Sequence, residues 1–266
     1  MHSHINIFGK SIPAYGLLLV VSAVLAWLLI MTLSRKNKIH DVNDIMLIFL
    51  IGIAGGVIGA YILRPLMRIS RIIFLRGQYA GYSIGELFHY ITGEIIFFGG
   101  LIGGLIAVIL FCKKYKINII SIFDLFAPAL ALSHGIGRIG CLLGGCCYGI
   151  EISYNHPLAI VYPITSLGAP ANIPLLAIPL IEAGFLLVLS ATLIGIYLKY
   201  NRTGITTSIY FMAYPLGRFI LEFFRGDALR GRYWMFTTSQ YIAIIFFIIG
   251  VLLLFVRLWE MRSKDV

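Results

Sequence analysis

Residues 13–34 read PAYGLLLVVSAVLAWLLIMTLS and contain no charged side chain. About 20 apolar residues in a helix cross the hydrocarbon core of a bilayer, so this run is long enough to span a membrane. It is too long for the apolar part of a cleaved signal peptide, and neither a basic segment nor a small-residue cleavage site accompanies it. We therefore predict a transmembrane helix here.

Similar runs recur along the rest of the chain. Together with the first they predict seven transmembrane helices, at 13–34, 44–63, 93–112, 121–141, 173–198, 205–224 and 237–256. The chain is 60% hydrophobic and 12% charged, whereas a soluble domain is roughly 25% charged. The predicted fold is an all-α integral membrane protein that forms a single polytopic domain over residues 1–266. External arms are expected near 64–92 and 142–172, the second one irregular because it contains prolines but no Lys or Arg.

The net charge of +10 would suggest a nucleic-acid partner for a soluble protein, but in a membrane protein the distribution of charge matters more. Four basic segments fall on one side of a seven-helix topology, namely 35–38, 113–116, 199–202 and 257–264. Cytoplasmic loops are enriched in Lys and Arg. We therefore predict that this side is cytoplasmic, that the N-terminus is outside, that the C-terminus is inside, and that no nucleic acid is bound.

The cations predicted on the opposite side are mostly arginines. They are Lys10, Arg64, Arg68, Arg71, Arg76, Arg225, Arg230 and Arg232. A guanidinium group binds phosphate through two hydrogen bonds at once, so this bias is typical of a site for an anionic headgroup. Arginines that simply reach the lipid headgroups at the interface are the alternative.

Several charged residues lie inside the predicted spans or at their edges, where a charge costs roughly 2.5–3.5 kcal/mol at the bilayer centre. They are Glu94, Asp124, Arg138, Glu182, Arg218 and Glu222. The spacing of Arg218 and Glu222 puts them on one helical face, which Tyr214 and Arg225 extend by a turn each way. This face is either part of a functional site or a structural ion pair. Asp124 and Glu182 are either interfacial or orient an arginine.

Glycine is dense in three segments. In 135-GIGRIG-140 we expect the glycines to break the helix and to expose backbone amides beside Arg138, which would make an anion site. A kinked helix whose arginine reaches the headgroups is the alternative. The segments 52-GIAGGVIG-59 and 99-GGLIGG-104 are more typical of closely packed helices.

Cys141, Cys146 and Cys147 form a C-x4-C-C pattern. A structural zinc site usually has four ligands in two short pairs, and a fourth ligand at His134 would match no common spacing. Cys141 can pair with either neighbour on an oxidising face, whereas a disulfide between consecutive cysteines is strained. A reactive thiol near Arg138 is a further alternative. Soft packing residues are the simplest interpretation.

The segment 137-GRIGCLLGGCCYG-149, together with 214-YPLGRFILEFFR-225, resembles the prolipoprotein diacylglyceryl transferase family. Three further segments are similar to family motifs, namely 14-AYGLLL-19, 97-FFGGLIGG-104 and 179-PLIEA-183. The resemblance implies a multi-pass transferase of the bacterial inner membrane with its active site toward the outer leaflet. Such an enzyme moves the diacylglyceryl group of phosphatidylglycerol to the lipobox cysteine of a secreted lipoprotein precursor and releases glycerol-1-phosphate.

The resemblance, together with the residues singled out above, indicates which residues act. The expected catalytic residues are Arg138, Arg218, Glu222, Tyr214 and His134, and the expected substrate-binding residues are Arg138, Tyr15, Gly149, Gly99, Gly100 and Arg225. This chain departs from the family at three positions. Phe98 stands in place of a histidine, Cys141 in place of an asparagine, and Cys146 in place of a glutamate. His134 is a candidate replacement for the missing histidine as a proton handler.

In the implied reaction, Arg138 and Arg218 hold the lipid phosphate and stabilise the charge that builds on it as the bond to the diacylglyceryl carbon breaks. The acceptor attacks as a thiolate, and no metal or other cofactor is implied. Two alternatives stay open. One is a family member with the same lipid donor and a different acceptor, and the other is a lipid-binding or transport protein that has lost the chemistry.

Overall fold

The computed structural model describes residues 4–7, 10–37, 41–74, 97–164, 166, 168–200, 202–226 and 232–263. Within these residues the chain forms seven helices. They are α1 (Ala14–Asn37), α2 (Val42–Phe74), α3 (Phe97–Lys114), α4 (Ile119–Gly144), α5 (Ile178–Lys199), α6 (Ile205–Glu222) and α7 (Thr238–Arg262). Three antiparallel two-stranded sheets pair β1 (His4–Ile7) with β2 (Lys10–Pro13), β3 (Ala159–Val161) with β4 (Pro174–Leu176), and β5 (Arg232–Tyr233) with β6 (Phe236–Thr237).

Each predicted apolar run overlaps one of these helices. Five helices are long and apolar enough to cross a membrane by length and composition, namely α1, the Val42–Ile62 part of α2, α4, α5 and the Thr238–Glu260 part of α7. The remaining two, α3 and α6, have 18 residues each. The prediction of an all-helical integral membrane protein is thereby confirmed in its coarse form.

Large apolar side chains cover the outer faces of these helices. Val20, Leu28, Leu110, Val188 and Phe255 are each more than half exposed. Exposed apolar surface of this extent is unfavourable in water and marks a surface that contacts another apolar phase. The helices therefore present a lipid-facing exterior.

The chain divides into two compact units, Lys38–Ile119 and the combination of Met1–Asn37 with Ile120–Val266. In the first unit, α2 and α3 cross at glycines. A Cβ atom at Gly59 would lie 2.3 Å from the Gly99 carbonyl oxygen, and one at Gly103 would lie 2.4 Å from the Gly55 carbonyl oxygen. No larger residue fits there, so these glycines serve the close helix packing that their density predicts.

Helix α2 continues to Phe74, beyond the predicted end of its span at residue 63. The backbone of Arg64, Arg68 and Arg71 is therefore helical, as their spacing suggests. Arg76 and Glu94 lie outside the described residues.

The second unit has an apolar core between α4, α5 and α6. Leu186, Leu189 and Leu193 of α5 are buried with Ala131 of α4, and aromatic side chains of α6 pack against them. This core fixes the faces of the three helices that carry the charged residues.

The loop between α4 and α5 was expected to be irregular, but it contains the β3–β4 sheet. It also has a small core of its own, in which Tyr162, Ala169 and Leu175 are buried. The strands are compatible with the prolines, because these lie outside the paired strands or at a strand end, where the missing N–H is tolerated. Apart from β3 and isolated bridges, the described residues between 145 and 172 are irregular, as expected.

Asp124 has a role that the sequence did not suggest. Its carboxylate accepts hydrogen bonds from the backbone N–H of Gly204 and, at 2.7 Å, from that of Thr207. The Thr207 hydroxyl donates a further bond of 2.6 Å. Asp124 of α4 thus caps the first turn of α6, whose amides have no partners within the helix.

Candidate active site

Arg138 of α4 and Glu182 of α5 form a buried ion pair. Nη2 of Arg138 lies 3.0 Å from Oε1 of Glu182, although the two groups are not aligned as a hydrogen bond. The helices approach closely here because a Cβ atom at Gly135 would already touch Ala183 and Leu186. Glu182 therefore orients an arginine, which is one of the two roles expected for it.

Arg218 and Glu222 form a second buried ion pair, one turn apart on α6. Nη2 of Arg218 donates to Oε2 of Glu222 at 2.5 Å. The other carboxylate oxygen of Glu222 accepts a hydrogen bond of 2.9 Å from the Thr237 hydroxyl at the end of β6. The carboxylate is thus held from two sides, and it holds the guanidinium in turn.

Both arginines keep unused hydrogen-bond donors. Nε of Arg138 and Nη1 of Arg218 are buried and have no partner among the described atoms. Buried donors without partners are costly, so they mark a place where a ligand or water must bind. The two guanidinium groups also lie close enough to each other for their positive charges to interact.

Aromatic side chains border this pair of arginines. The Tyr214 hydroxyl lies near the Arg138 guanidinium group, and the ring of His134 packs edge-on against the Tyr214 ring at 5.0 Å between centroids. His134 lies close enough to both Arg138 and Arg218 for their positive charges to act on its imidazole ring. The structure therefore groups four of the five predicted catalytic residues directly, and Glu222 joins them through Arg218.

Tyr15 reaches the same region from the first turn of α1. A Cβ atom at Gly140 would lie 2.9 Å from Cδ2 of Tyr15, so the tyrosine ring lies against this glycine. Tyr15 also lies within range of the Arg138 charge. The predicted tyrosine is thus adjacent to the predicted arginine.

The helix around Arg138 is not broken, so that expectation is wrong. Helix α4 runs without interruption from Ile119 to Gly144. Gly135 and Gly140 are contact points for α5 and Tyr15, and their lack of a side chain serves packing rather than exposure of amides. Arg138 is paired with a buried carboxylate, so part of its guanidinium group is held inside the protein.

Arg225 does not continue the face of Arg218, contrary to expectation. Helix α6 ends at Glu222, and Arg225 instead forms a β-bridge with Gly149 in the loop after α4. Gly149 is itself confined, since a Cβ atom there would lie 2.6 Å from the Leu176 carbonyl oxygen. This bridge brings Arg225 to the cysteine-containing loop.

The three cysteines of that loop converge. The sulfur atoms of Cys141, Cys146 and Cys147 all lie within 4.8 Å of one another, and all are free thiols. Hydrogen bonds from the other two cysteines, together with Arg225, lower the pKa of the Cys147 thiol well below its usual range. Interactions with Cys141 and Cys147, together with burial, raise the pKa of the Cys146 thiol. Burial, with the nearby cysteines, raises the pKa of Tyr162 to about 12.

The remaining predicted residues lie elsewhere. Gly99 and Gly100 belong to the unit of α2 and α3, where they face the backbone of Gly59 and Gly56. The side chain of Phe98 is not among those that the structure describes. Their roles in substrate binding stay predictions.

Comparison with known proteins supplies the family. A family model described as prolipoprotein diacylglyceryl transferase matches residues 3–256. A phosphatidylglycerol–prolipoprotein diacylglyceryl transferase of Clostridium tetani (strain Massachusetts / E88) is 32% identical over 246 residues, which cover 92% of this chain and 93% of the relative. A second such transferase, from Clostridium perfringens (strain 13 / Type A), is 34% identical over 254 residues, 93% of this chain and 92% of the relative. The chain belongs to the prolipoprotein diacylglyceryl transferase family.

Membership of the prolipoprotein diacylglyceryl transferase family confirms the resemblance drawn from the GRIG and Tyr-x-x-x-Arg-x-x-x-Glu segments. It also confirms that the chain is a transferase. With the apolar helices, it makes the chain a multi-pass membrane protein.

Within this family member, sequence reasoning missed three contributors to the site. Thr237 holds Glu222 although it lies on a short strand outside every motif. Tyr162 lies near the cysteines, and the convergence of the cysteines themselves was not expected. The C-x4-C-C spacing was a sequence pattern that could have indicated the convergence of the cysteines. No sequence pattern indicated the positions of Thr237 and Tyr162.

Proposed function

We propose that this chain transfers the diacylglyceryl group of phosphatidylglycerol to the lipobox cysteine thiol of a secreted lipoprotein precursor and releases glycerol-1-phosphate. The names of its relatives support the reaction. The observation that carries the proposal is the pair of buried arginines, each with a guanidinium N–H that lacks a partner among the described atoms.

The phosphodiester of the lipid is the anion that suits these donors. Bound between Arg138 and Arg218, it would place the glyceryl carbon for attack by the acceptor thiolate. As the carbon–oxygen bond breaks, negative charge grows on the departing phosphate. Fixed donors in a buried site stabilise that charge more than they stabilise the ground state.

The carboxylates and tyrosines have supporting roles in this proposal. Glu182 and Glu222 each fix one guanidinium group. Tyr214 and Tyr15 lie beside Arg138 and contribute hydroxyl groups to the headgroup. His134 lies against Tyr214 and is the proposed proton handler, while Gly149 positions Arg225 for further phosphate contact.

The topology is also proposed. Seven spans place the N-terminus outside and the C-terminus in the cytoplasm of a bacterial inner membrane, with the active site toward the outer leaflet. Lysines and arginines at the C-terminal ends of α1, α3 and α5 support this orientation. We also propose that residues 1–266 form a single polytopic domain, with external arms near 64–92 and 142–172.

The proposal is tested with Arg138→Lys and Arg218→Lys in a transfer assay that uses labelled phosphatidylglycerol and a lipobox peptide. Lysine keeps the charge but not the paired donors. We expect transfer to fall by about 10- to 100-fold in each variant, since a hydrogen bond to a charged group contributes about 1.5–3 kcal/mol.

Arg35→Lys is the matched control, because Arg35 is an exposed residue in the last turn of α1. It should transfer at the normal rate. Near-normal transfer by both Arg138→Lys and Arg218→Lys would overturn the phosphate-binding role. Release of glycerol phosphate with acceptors other than the lipobox peptide alone would favour the family member with a different acceptor.

A further inference from the structure

The three converging cysteines form a ligand set that the reaction described so far does not use. Cys141 is in the last turn of α4, and Cys146 and Cys147 follow in the loop. Their sulfur atoms lie within 4.8 Å of one another. A tetrahedral zinc ion with Zn–S bonds of about 2.3 Å separates its sulfur ligands by roughly 3.8 Å. Small side-chain rotations would therefore bring all three sulfurs to one ion.

The local backbone explains how consecutive cysteines can share a centre. The backbone is in the left-handed region at Gly145, with φ of 70°, and again at Cys147, with φ of 60°. Consecutive side chains of an extended chain point to opposite sides, and the reversal at Cys147 removes that separation. The amide of Cys146 donates to the Cys141 carbonyl at 3.1 Å and ties the loop to the helix end.

The ligand types favour zinc. Thiolate sulfur selects zinc or copper(I) over magnesium or calcium. No histidine or carboxylate joins the three sulfurs among the residues that the structure describes. Three protein ligands with an open fourth position are the arrangement of a catalytic zinc, whereas a structural zinc has four protein ligands.

The cluster borders the two arginine pairs. Arg225, which forms a β-bridge with Gly149 two residues after Cys147, lies close enough to Arg218 for the two charges to interact. Tyr15 lies within range of Arg138 and of the cysteines. Zinc with three thiolates carries a net charge of −1, so neighbouring guanidinium groups offset the charge of the complex.

We propose that Cys141, Cys146 and Cys147 bind one zinc ion whose fourth position takes the acceptor thiol of the lipoprotein precursor. This inference rests on the proposed function, because it assigns the site that activates that acceptor. A thiol coordinated to zinc is deprotonated, and the thiolate is the nucleophilic form.

In the proposed transfer step, every bond that forms is matched by one that breaks. The acceptor thiol binds at the fourth position as a thiolate, and its proton passes to solvent. The sulfur forms a bond to the glyceryl carbon, and the bond from that carbon to the phosphate oxygen breaks. The electron pair leaves on that oxygen in glycerol-1-phosphate, whose phosphate exchanges protons with solvent. The product is a thioether, a weaker ligand than a thiolate, so it leaves the site.

The first experiment measures metal in the full-length protein purified in detergent. We expect about one zinc per chain by elemental analysis. Cys141→Ser, Cys146→Ser and Cys147→Ser should each lose at least about ten-fold in zinc occupancy at a fixed zinc concentration, as loss of a ligand predicts. Cys112→Ser is the matched control, because Cys112 lies on α3 outside the cluster, and it should keep its zinc.

The second experiment uses the unmutated protein, so it does not depend on how a variant folds. A chelator removes the metal, and transfer to a lipobox peptide is measured before and after zinc is restored. We expect the rate to fall by about 100-fold or more and to recover, the size of effect typical of a lost proton-handling group. Cobalt in place of zinc should show a sulfur charge-transfer band that shifts when the peptide is added but not when its cysteine is replaced by serine.

These experiments distinguish failure of the zinc proposal from failure of the proposed transferase function. Full transfer by protein without metal, or an unchanged rate after metal removal, would overturn the zinc proposal and leave the transferase intact. The finding of a disulfide among the three cysteines in active protein would overturn it as well. A peptide-dependent cobalt spectrum without transfer of the diacylglyceryl group would support the thiol-binding zinc and contradict the proposed reaction.

Discussion

The two arginines of the site are held in different ways. Arg138 is paired across helices with Glu182, whereas Arg218 is paired within α6 with Glu222. Both carboxylates are almost fully buried, at 1% and 7% exposure. Removal of one partner from a buried pair leaves a costly unpaired charge. The pairs therefore fix guanidinium geometry, and the donors left over are the ones that we propose for the lipid phosphate.

Tyr214 tests that geometry without a change of charge. Tyr214→Phe removes the hydroxyl that lies near Arg138 and keeps the ring that packs against His134. We expect transfer to fall by about ten-fold, as the loss of the proposed hydrogen bond from Tyr214 to the charged headgroup predicts. Thermal stability in detergent should change little.

The control for this substitution is Tyr210→Phe. Tyr210 lies one turn earlier on α6, and its ring stacks on that of Tyr214 with 5.9 Å between centroids. Removal of the Tyr210 hydroxyl leaves the surroundings of Arg138 unchanged, so transfer should stay near normal. Equal loss in both variants would mean that the effect is not specific to the Tyr214 hydroxyl beside Arg138.

Among the elements, the positions of the helices were predictable but their local roles were not. Long apolar runs determine a helix in a bilayer, because every backbone group must be bonded within the segment. The continuity of α4 through 135-GIGRIG-140 could not be read from glycine content. Glycine lowers helix propensity, but here Gly135 and Gly140 admit neighbouring groups, and tertiary packing outweighs the local preference.

The cap on α6 gives a prediction at the same scale. Asp124→Ala removes the acceptor of the Gly204 and Thr207 amides. Because these donors are buried, we expect the free energy of unfolding to fall by about 2 kcal/mol. Thermal or denaturant unfolding in detergent measures the change.

Asp41→Ala is the corresponding change at an exposed position. Asp41 accepts a hydrogen bond from the amide of Asn43 at 2.7 Å, near the start of α2, where water can replace it. We expect a loss of less than about 1 kcal/mol. If Asp124→Ala were no more destabilising than Asp41→Ala, burial would not be what makes the α6 cap important.

Over the whole molecule, the residues of the candidate site could be picked out from the sequence, but their arrangement could not. Arg138, Tyr214, Arg218 and Glu222 stand in two recognisable segments, and the structure brings those segments together. The pairing of Arg138 with Glu182 and of Glu222 with Thr237 depends on contacts between distant parts of the chain. Such contacts leave no periodic signal in the sequence. The cysteine cluster had a spacing signal, but convergence of its sulfurs required the turn at Cys147.

The orientation of the chain in the membrane is the prediction at the largest scale. The basic residues Arg35, Lys114 and Lys199 lie in the last turns of α1, α3 and α5, and alternate helices of a seven-span bundle end on the same side. Because basic ends stay in the cytoplasm, green fluorescent protein fused after residue 263 should fluoresce. The same protein fused after residue 226 follows α6, so it should be exported and remain dark. Alkaline phosphatase fusions at the two positions provide the reciprocal control and should be active only after residue 226. Fluorescence at both positions would mean that α7 does not cross the membrane, and the seven-span topology would then be wrong.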